Sequence, residues 1–257
     1  MPIDFHAEAN RYTYTTRTAD ESWQQAILAL VMPQGKRVVD IGCGGGIYSH
    51  AWVQLGATSV CGVDFSEQMI LAARAHLSGV PQVTFQQGNA RSTGLPDGCA
   101  DIVFARALLH HITELSACVD EAYRLLVPGG CYIIQDRTVE DVQLAGSPEH
   151  IRGYFFACFP RLLSVEAARR PQAAALQAAL RAAGLTPIPP RTLWEIRQTY
   201  PHATALAEDL RQRTGRSILH ELTDDELATL VAHIVTQLPA DTPVVEQDRW
   251  TLWCGVR

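Results

Sequence analysis

Short β-branched apolar runs alternate, through the first half of the chain, with longer stretches whose apolar residues recur at helical spacing. From Asp20 to Leu30 the apolar positions are Trp23, Ala26, Ile27 and Leu30, with Asp20 as N-cap and Pro33-Gln34-Gly35 as the stop, so the spacing predicts an opening helix. Strands are predicted over 37–41, 59–63, 83–86, 101–105 and 131–135. Helices are predicted over 47–55, from Ser66 to about Ser78, and over 113–126, with Gly56, Gly79 and Pro128-Gly129-Gly130 as punctuation. Strands and helices in this order predict an α/β fold, a Rossmann-like doubly wound parallel sheet whose ligand site lies at the carboxyl ends of the strands. Beyond Asp136 the alternation breaks. A mixed segment covers 138–163, an Ala-rich helix is predicted over 164–183, a strand near 192–198, helix in two pieces across 203–238, and a final strand around 249–256.

The candidate chemistry falls on that carboxyl edge. The first strand runs into Val38-Val39-Asp40-Ile41-Gly42-Cys43-Gly44-Gly45-Gly46, which reads as a buried strand, a tight turn and a helix start. Glycine there lets backbone and ligand approach closely. The second strand ends at Asp64, whose carboxylate can accept both hydroxyls of a ribose lying across the strand ends. Together they call for a nucleoside. A nicotinamide dinucleotide would want a third glycine at position 47, where the chain has Ile47, and would set its pyrophosphate against Asp40. S-adenosyl-L-methionine carries a sulfonium and an ammonium against one carboxylate, so a nearby Asp40 favours it. That is the expected cofactor.

Composition narrows the class further. The 257 residues are 47% hydrophobic, enough for a sizeable core, and the net charge of −6 with no run of Lys or Arg argues against a nucleic-acid binder. No apolar stretch approaches the ~20 residues of a membrane span. The N-terminal residues lack the basic start and apolar core of a signal peptide, so a cytoplasmic protein is expected. Seven cysteines without C-x-x-C spacing argue against disulfides and zinc, and no metal site is expected.

Five ordered segments carry a resemblance: VVDIGCGGG at 38–46, GVD at 62–64, GNA at 88–90, ADIVFARALLHHI at 100–112 and LLVPGGCYIIQD at 125–136. Over residues 36 to about 137 the chain resembles a class I S-adenosylmethionine-dependent methyltransferase, of the kind that includes small-molecule enzymes of ubiquinone and menaquinone biosynthesis. The resemblance implies that Gly42, Cys43 and Gly44 line the methionine moiety, that Asp64 takes the ribose hydroxyls and that Phe65 packs on the adenine. Asn89 and Ala90 would border the adenine edge, Asn89 standing where such enzymes often have an aspartate. Ala105 and Arg106 would meet the methionine amino group through their carbonyls. It also implies a seven-stranded sheet with an antiparallel last strand. We therefore expect a single domain over 1–257, with core 20–137, C-terminal strands near 192–198 and 249–256, and helical lid insertions at about 138–163 and 203–240 capping the substrate side.

Methyl transfer from a sulfonium needs an acceptor in line and its proton removed. His110 and His111, after the fourth strand, are candidate bases, with loop orientation and packing as their plainer roles. Arg17, beyond Tyr12 and Tyr14, could pair with the methionine carboxylate or be solvated. Tyr154, Phe155, Phe156 and Phe159 could line an apolar pocket or simply pack, and Glu140, Asp141 and Glu149 could meet a cationic acceptor. The expected partner is a small-molecule acceptor, with no nucleic acid and no membrane. A non-catalytic S-adenosylmethionine-binding regulator and an NAD-dependent oxidoreductase stand as alternatives.

Overall fold

The computed structural model describes residues 19–170, 172–239 and 242–257. Seven strands form one sheet: β1 (Arg37–Ile41), β2 (Ser59–Asp64), β3 (Val83–Gln87), β4 (Ala100–Arg106), β5 (Leu126–Asp136), β6 (Thr186–Tyr200) and β7 (Val244–Val256), in the order β3-β2-β1-β4-β5-β7-β6. The pairs β1–β2, β1–β4, β2–β3 and β4–β5 are parallel. Strand β7 runs antiparallel to β5, from Cys131 opposite Val256 to Asp136 opposite Thr251. The apolar runs explain this arrangement: Ile102 to Ala105 and Cys131 to Ile134 are buried throughout, as strands covered on both faces must be. The sheet order reverses between β1 and β4, which opens a crevice at their carboxyl ends.

Two helices of the first half begin at a side-chain cap. Asp20 accepts the Trp23 backbone N–H at 2.9 Å at the head of α1 (Glu21–Leu28). Gly46, at φ 82°, leads into α2 (Ile47–Gln54), and Ser66 caps α3 (Glu67–His76). The helix after β4 is α4 (Leu115–Leu125).

Several elements differ from the sequence reading for identifiable reasons. Strand β5 starts at Leu126, not Cys131: Leu126 pairs with Ala100, Cys131 with Ile102, and Pro128-Gly129-Gly130 bulges out between them. The Ala-rich helix is two, α7 (Arg161–Arg169) and α8 (Ala173–Ala182), following α5 (Val139–Val142) and α6 (Arg152–Cys158). Pro171 accounts for the break, since a proline pushes the residue before it out of the helical region, and Arg170 is extended at ψ 128°. Strand β6 starts six residues before the expected 192; Pro187, Pro189 and Pro190 hid it, and an edge strand tolerates them. The 203–238 segment is α9 (Ala203–Arg211), a 3₁₀ turn at Ser217–Glu221 and α10 (Asp224–Thr236).

The chain divides into two compact units. Among the described residues one comprises 19–136, 172–193 and 251–257, the other 137–170, 194–239 and 242–250. The first has a core built from β1, β4, β5, α4 and α8, including Val39, Val103, Val119, Ile134, Leu180 and Trp253. The second is centred on Phe155, Leu206, Leu219, Leu230 and Ile234. Phe155 and Phe156 are thus buried core residues, with Tyr154 and Phe159 packed against them, so the packing role of these aromatics is the one realised. Among the described residues no helix is long and apolar enough to cross a membrane.

Candidate active site

The glycine turn after β1 is fastened to the end of β2. Gly42 N–H and Cys43 N–H both donate to the Val63 carbonyl, at 2.7 and 3.1 Å. Gly44 N–H donates to Asp64 Oδ2 and Ser66 N–H to Asp64 Oδ1, each at 2.9 Å. Asp64 therefore holds the turn and its own strand end together. Among the described residues a side chain at Gly44 would meet nothing within 4 Å, which leaves the turn's backbone clear of them. At Gly42, φ is 76° and a Cβ would lie 3.0 Å from Leu108, so only glycine lets the loop after β4 close against the turn.

Beneath the turn the chemistry is tightly packed. Gly62 has no room for a methyl group, because Phe85 would lie 2.5 Å and Cys43 Sγ 2.9 Å from it. Asp40 is 2% exposed and accepts the Ser49 hydroxyl at 2.6 Å. Burial pushes its carboxyl up to about 7; the Ser49 bond and Arg106 oppose the rise and Asp64 adds to it. Rather than presenting an open carboxylate, Asp40 is a buried group that holds its proton up to about pH 7. Cys43 is also buried, and burial raises its thiol well above the usual range, so the sulfur is no nucleophile.

Ala105 is buried between Ile41 and Ile134 in the sheet, and Arg106 pairs in register with Gln135. The Arg106 guanidinium lies over the Tyr48 ring, 4.3 Å from its centroid, beside an aromatic group of Trp23, Trp52 and Phe104. Phe65 is 47% exposed just past β2. Asn89 Oδ1 accepts Arg91 N–H at 3.0 Å and Arg91 Nε at 3.4 Å, so the amide oxygen expected to read an exocyclic amine already has donors. Ala90 packs against the first unit's core.

His110 and His111 form part of a 3₁₀ turn, their ring centroids 4.0 Å apart. His110 Nδ1 lies 3.1 and 3.2 Å from the two oxygens of Asp136, and His110 N–H donates to the same carboxylate at 3.3 Å. Sequence reasoning missed Asp136 as a site residue; its signal was an acid at the end of the last parallel strand, beside the histidine loop.

Arg17, Tyr12 and Tyr14 lie outside the described residues. Asp141 is no receptor for a cationic acceptor: it is buried, closes a capping box with Thr138, and accepts Arg249 Nε at 2.6 Å. Glu149 accepts the Ser147 hydroxyl at 3.1 Å. Among the described residues no three His, Cys, Asp or Glu side chains gather as metal ligands.

Residues 39–134 match the profile of a family described as a methyltransferase domain. Ubiquinone biosynthesis O-methyltransferases of Pseudomonas entomophila and Pseudomonas aeruginosa are 39% and 41% identical over 100 residues, which is 37% of this chain and 42% of theirs. The chain thus spans less than half the length of the curated relatives it matches. Phosphoethanolamine N-methyltransferase 2 of Haemonchus contortus, solved with S-adenosyl-L-methionine, superposes with a TM-score of 0.61 at 18% identity, over 99% of this chain and 60% of that one. An S-adenosylmethionine-dependent methyltransferase of Mesorhizobium loti superposes with a TM-score of 0.52 at 19% identity, over 92% and 97%. At such identities the likeness is one of fold. Over residues 39–134 the chain thus matches a methyltransferase domain, and its fold as a whole is the one these solved structures share. The matched segment runs from β1 to β5 and includes the glycine turn, Asp64 and the histidine loop.

Proposed function

We propose that this protein transfers the methyl group of S-adenosyl-L-methionine to a small-molecule acceptor. The observation that carries the reading is the Asp64 carboxylate, fixed by Gly44 and Ser66 N–H groups beside an open stretch of the glycine turn. A carboxylate so placed suits a pair of ribose hydroxyls. When bound, S-adenosyl-L-methionine would supply an electrophilic methyl carbon open to in-line attack by the acceptor's lone pair, with the neutral thioether S-adenosylhomocysteine as leaving group. The chain's own part is to bind and orient. Gly42, Cys43 and Gly44 offer backbone to the methionine moiety, and Phe65 an exposed ring to the adenine. Ala90 and Asn89 border the adenine edge, where Asn89 fixes the loop through Arg91 more than it reads the base. The carbonyls of Ala105 and Arg106 accept from the ammonium. In its ionised form Asp40 lends negative potential to a cationic ligand and would repel a pyrophosphate. His110 takes the acceptor's proton, with His111 beside it.

The seven free thiols suit a reducing compartment, and we take the enzyme to work in the cytoplasm. Calorimetric titration with S-adenosyl-L-methionine and S-adenosylhomocysteine, with NAD as competitor, tests the reading. Both ligands are expected to saturate, NAD not to compete, and Asp64→Ala to lose roughly 10- to 100-fold in affinity, the cost of unmaking one charge-assisted hydrogen bond at about 1.5–3 kcal/mol. Binding of NAD alone would return the site to a nicotinamide enzyme. Binding without turnover on any acceptor would favour a non-catalytic regulator.

A further inference from the structure

We infer that Asp136 is a positioning residue that fixes the tautomer of His110, placing the imidazole proton on Nδ1 and leaving Nε2 bare to receive the acceptor's proton. The methyltransferase reading supplies the proton donor; the tautomer follows from the geometry of these two residues.

The chain leaves β4 at Arg106 and turns through Ala107, whose φ of 51° is left-handed and strained for a residue with a Cβ. The turn is held because Ala107 N–H donates to the Gln135 carbonyl at 2.8 Å, while the Gln135 side chain accepts the buried Trp23 indole N–H at 3.0 Å. Strain of this kind persists only where the surroundings over-determine it. Two residues further on, the 3₁₀ turn closes with His111 N–H on the Leu108 carbonyl at 2.9 Å. Its middle residue is tied twice to one buried carboxylate, by the His110 backbone N–H and by Nδ1.

An ionised carboxylate only accepts, so the imidazole nitrogen facing Asp136 must carry a hydrogen. A neutral imidazole has one such hydrogen, and Nε2 is then the lone pair. The His110 side chain keeps 11% of its exposure while that of Asp136 keeps 1%, so the ring retains access that the carboxylate lacks. In the transfer, the acceptor's O–H or N–H proton passes to Nε2, and the electron pair of that bond stays on the acceptor atom. The resulting imidazolium is balanced by Asp136 across the Nδ1–H bond and later returns its proton to water.

Full-length protein labelled with ¹⁵N-histidine tests this by long-range ¹H–¹⁵N spectra over a pH series, read for the neutral ring, with His110→Gln for assignment. The wild type is expected to hold a single Nδ1–H tautomer at His110, retained in Asp136→Glu and lost to the Nε2–H form in Asp136→Asn, with S-adenosyl-L-methionine still binding both variants. An Nε2–H tautomer in the wild type, or no change in Asp136→Asn, overturns the inference. If Asp136→Asn does not fold, the wild-type spectrum decides by itself. A wild type that fails to bind S-adenosyl-L-methionine overturns the methyltransferase reading and leaves the tautomer result standing, so the two failures are separable.

Discussion

At the scale of single residues, Asp40 shows what burial does to an acid beneath the glycine turn. Its carboxyl titrates at about 7 in the fold, chiefly because burial penalises the anion, against an ordinary 3.8 in the unfolded chain. Between those values the folded state holds a proton that the unfolded state has released, so the contribution to stability falls as pH rises. It is fully present below pH 4 and lost by about pH 7. Asp40→Asn keeps an acceptor for Ser49 and removes the titration. Its stability relative to the wild type should therefore grow across that window by on the order of a few kcal/mol, since each tenfold difference in proton affinity between folded and unfolded chain is worth about 1.4 kcal/mol. Urea unfolding of both proteins at pH 4, 5.5 and 8 measures the difference. Acid-side loss in both comes from other groups: Asp248 and Glu166 are held low by Arg137 and Arg152 despite burial, and they lose that support as pH falls.

At the scale of elements, local chemistry sets where helices begin even when tertiary packing decides what they cover. Helix α10 starts with a reciprocal capping box: Thr223 Oγ1 accepts Glu226 N–H at 3.2 Å and Glu226 returns the bond to Thr223 N–H at 2.9 Å. Thr223 is exposed, so Thr223→Ala changes the cap and little else. It should destabilise the protein by about 1 kcal/mol, read as a shift in the urea midpoint at constant slope. The same logic explains Asp141, which looked like a surface acid in the sequence and is the N3 member of the box on α5. Pro171 acts in the opposite sense, dividing an Ala-rich run that propensity alone would make continuous.

At the scale of the whole molecule, the sheet is completed by the far end of the chain. Residues 251–256 of β7 pair antiparallel with β5, and Leu252, Trp253 and Cys254 are buried there. Removing 251–257 takes away the part of β7 that pairs with β5 and leaves Ile133 and Ile134 with partners on β4 alone. The truncated chain should lose its cooperative thermal transition in calorimetry and with it S-adenosyl-L-methionine binding, although every residue of the matched methyltransferase segment is retained.

The order of strands and helices through β5, the glycine turn and Asp64 were legible in the sequence because each rests on local rules: hydrophobic periodicity, glycine's access to positive φ, and the need for an acid at a strand end. The histidine loop was legible for its chemistry but not for its partner. What only the tertiary structure decided depends on residues distant in the chain. Asp136 meets His110 because β4 and β5 are neighbours, 26 positions apart in sequence. Asp40 becomes a buried proton holder because Ser49 and the β2 end close over it, and Gly62 is glycine because Phe85 and Cys43 need its space. Phe155 and Phe156 became core, not pocket, for the same reason: helical spacing says that an aromatic faces something, and only the packed chain says what.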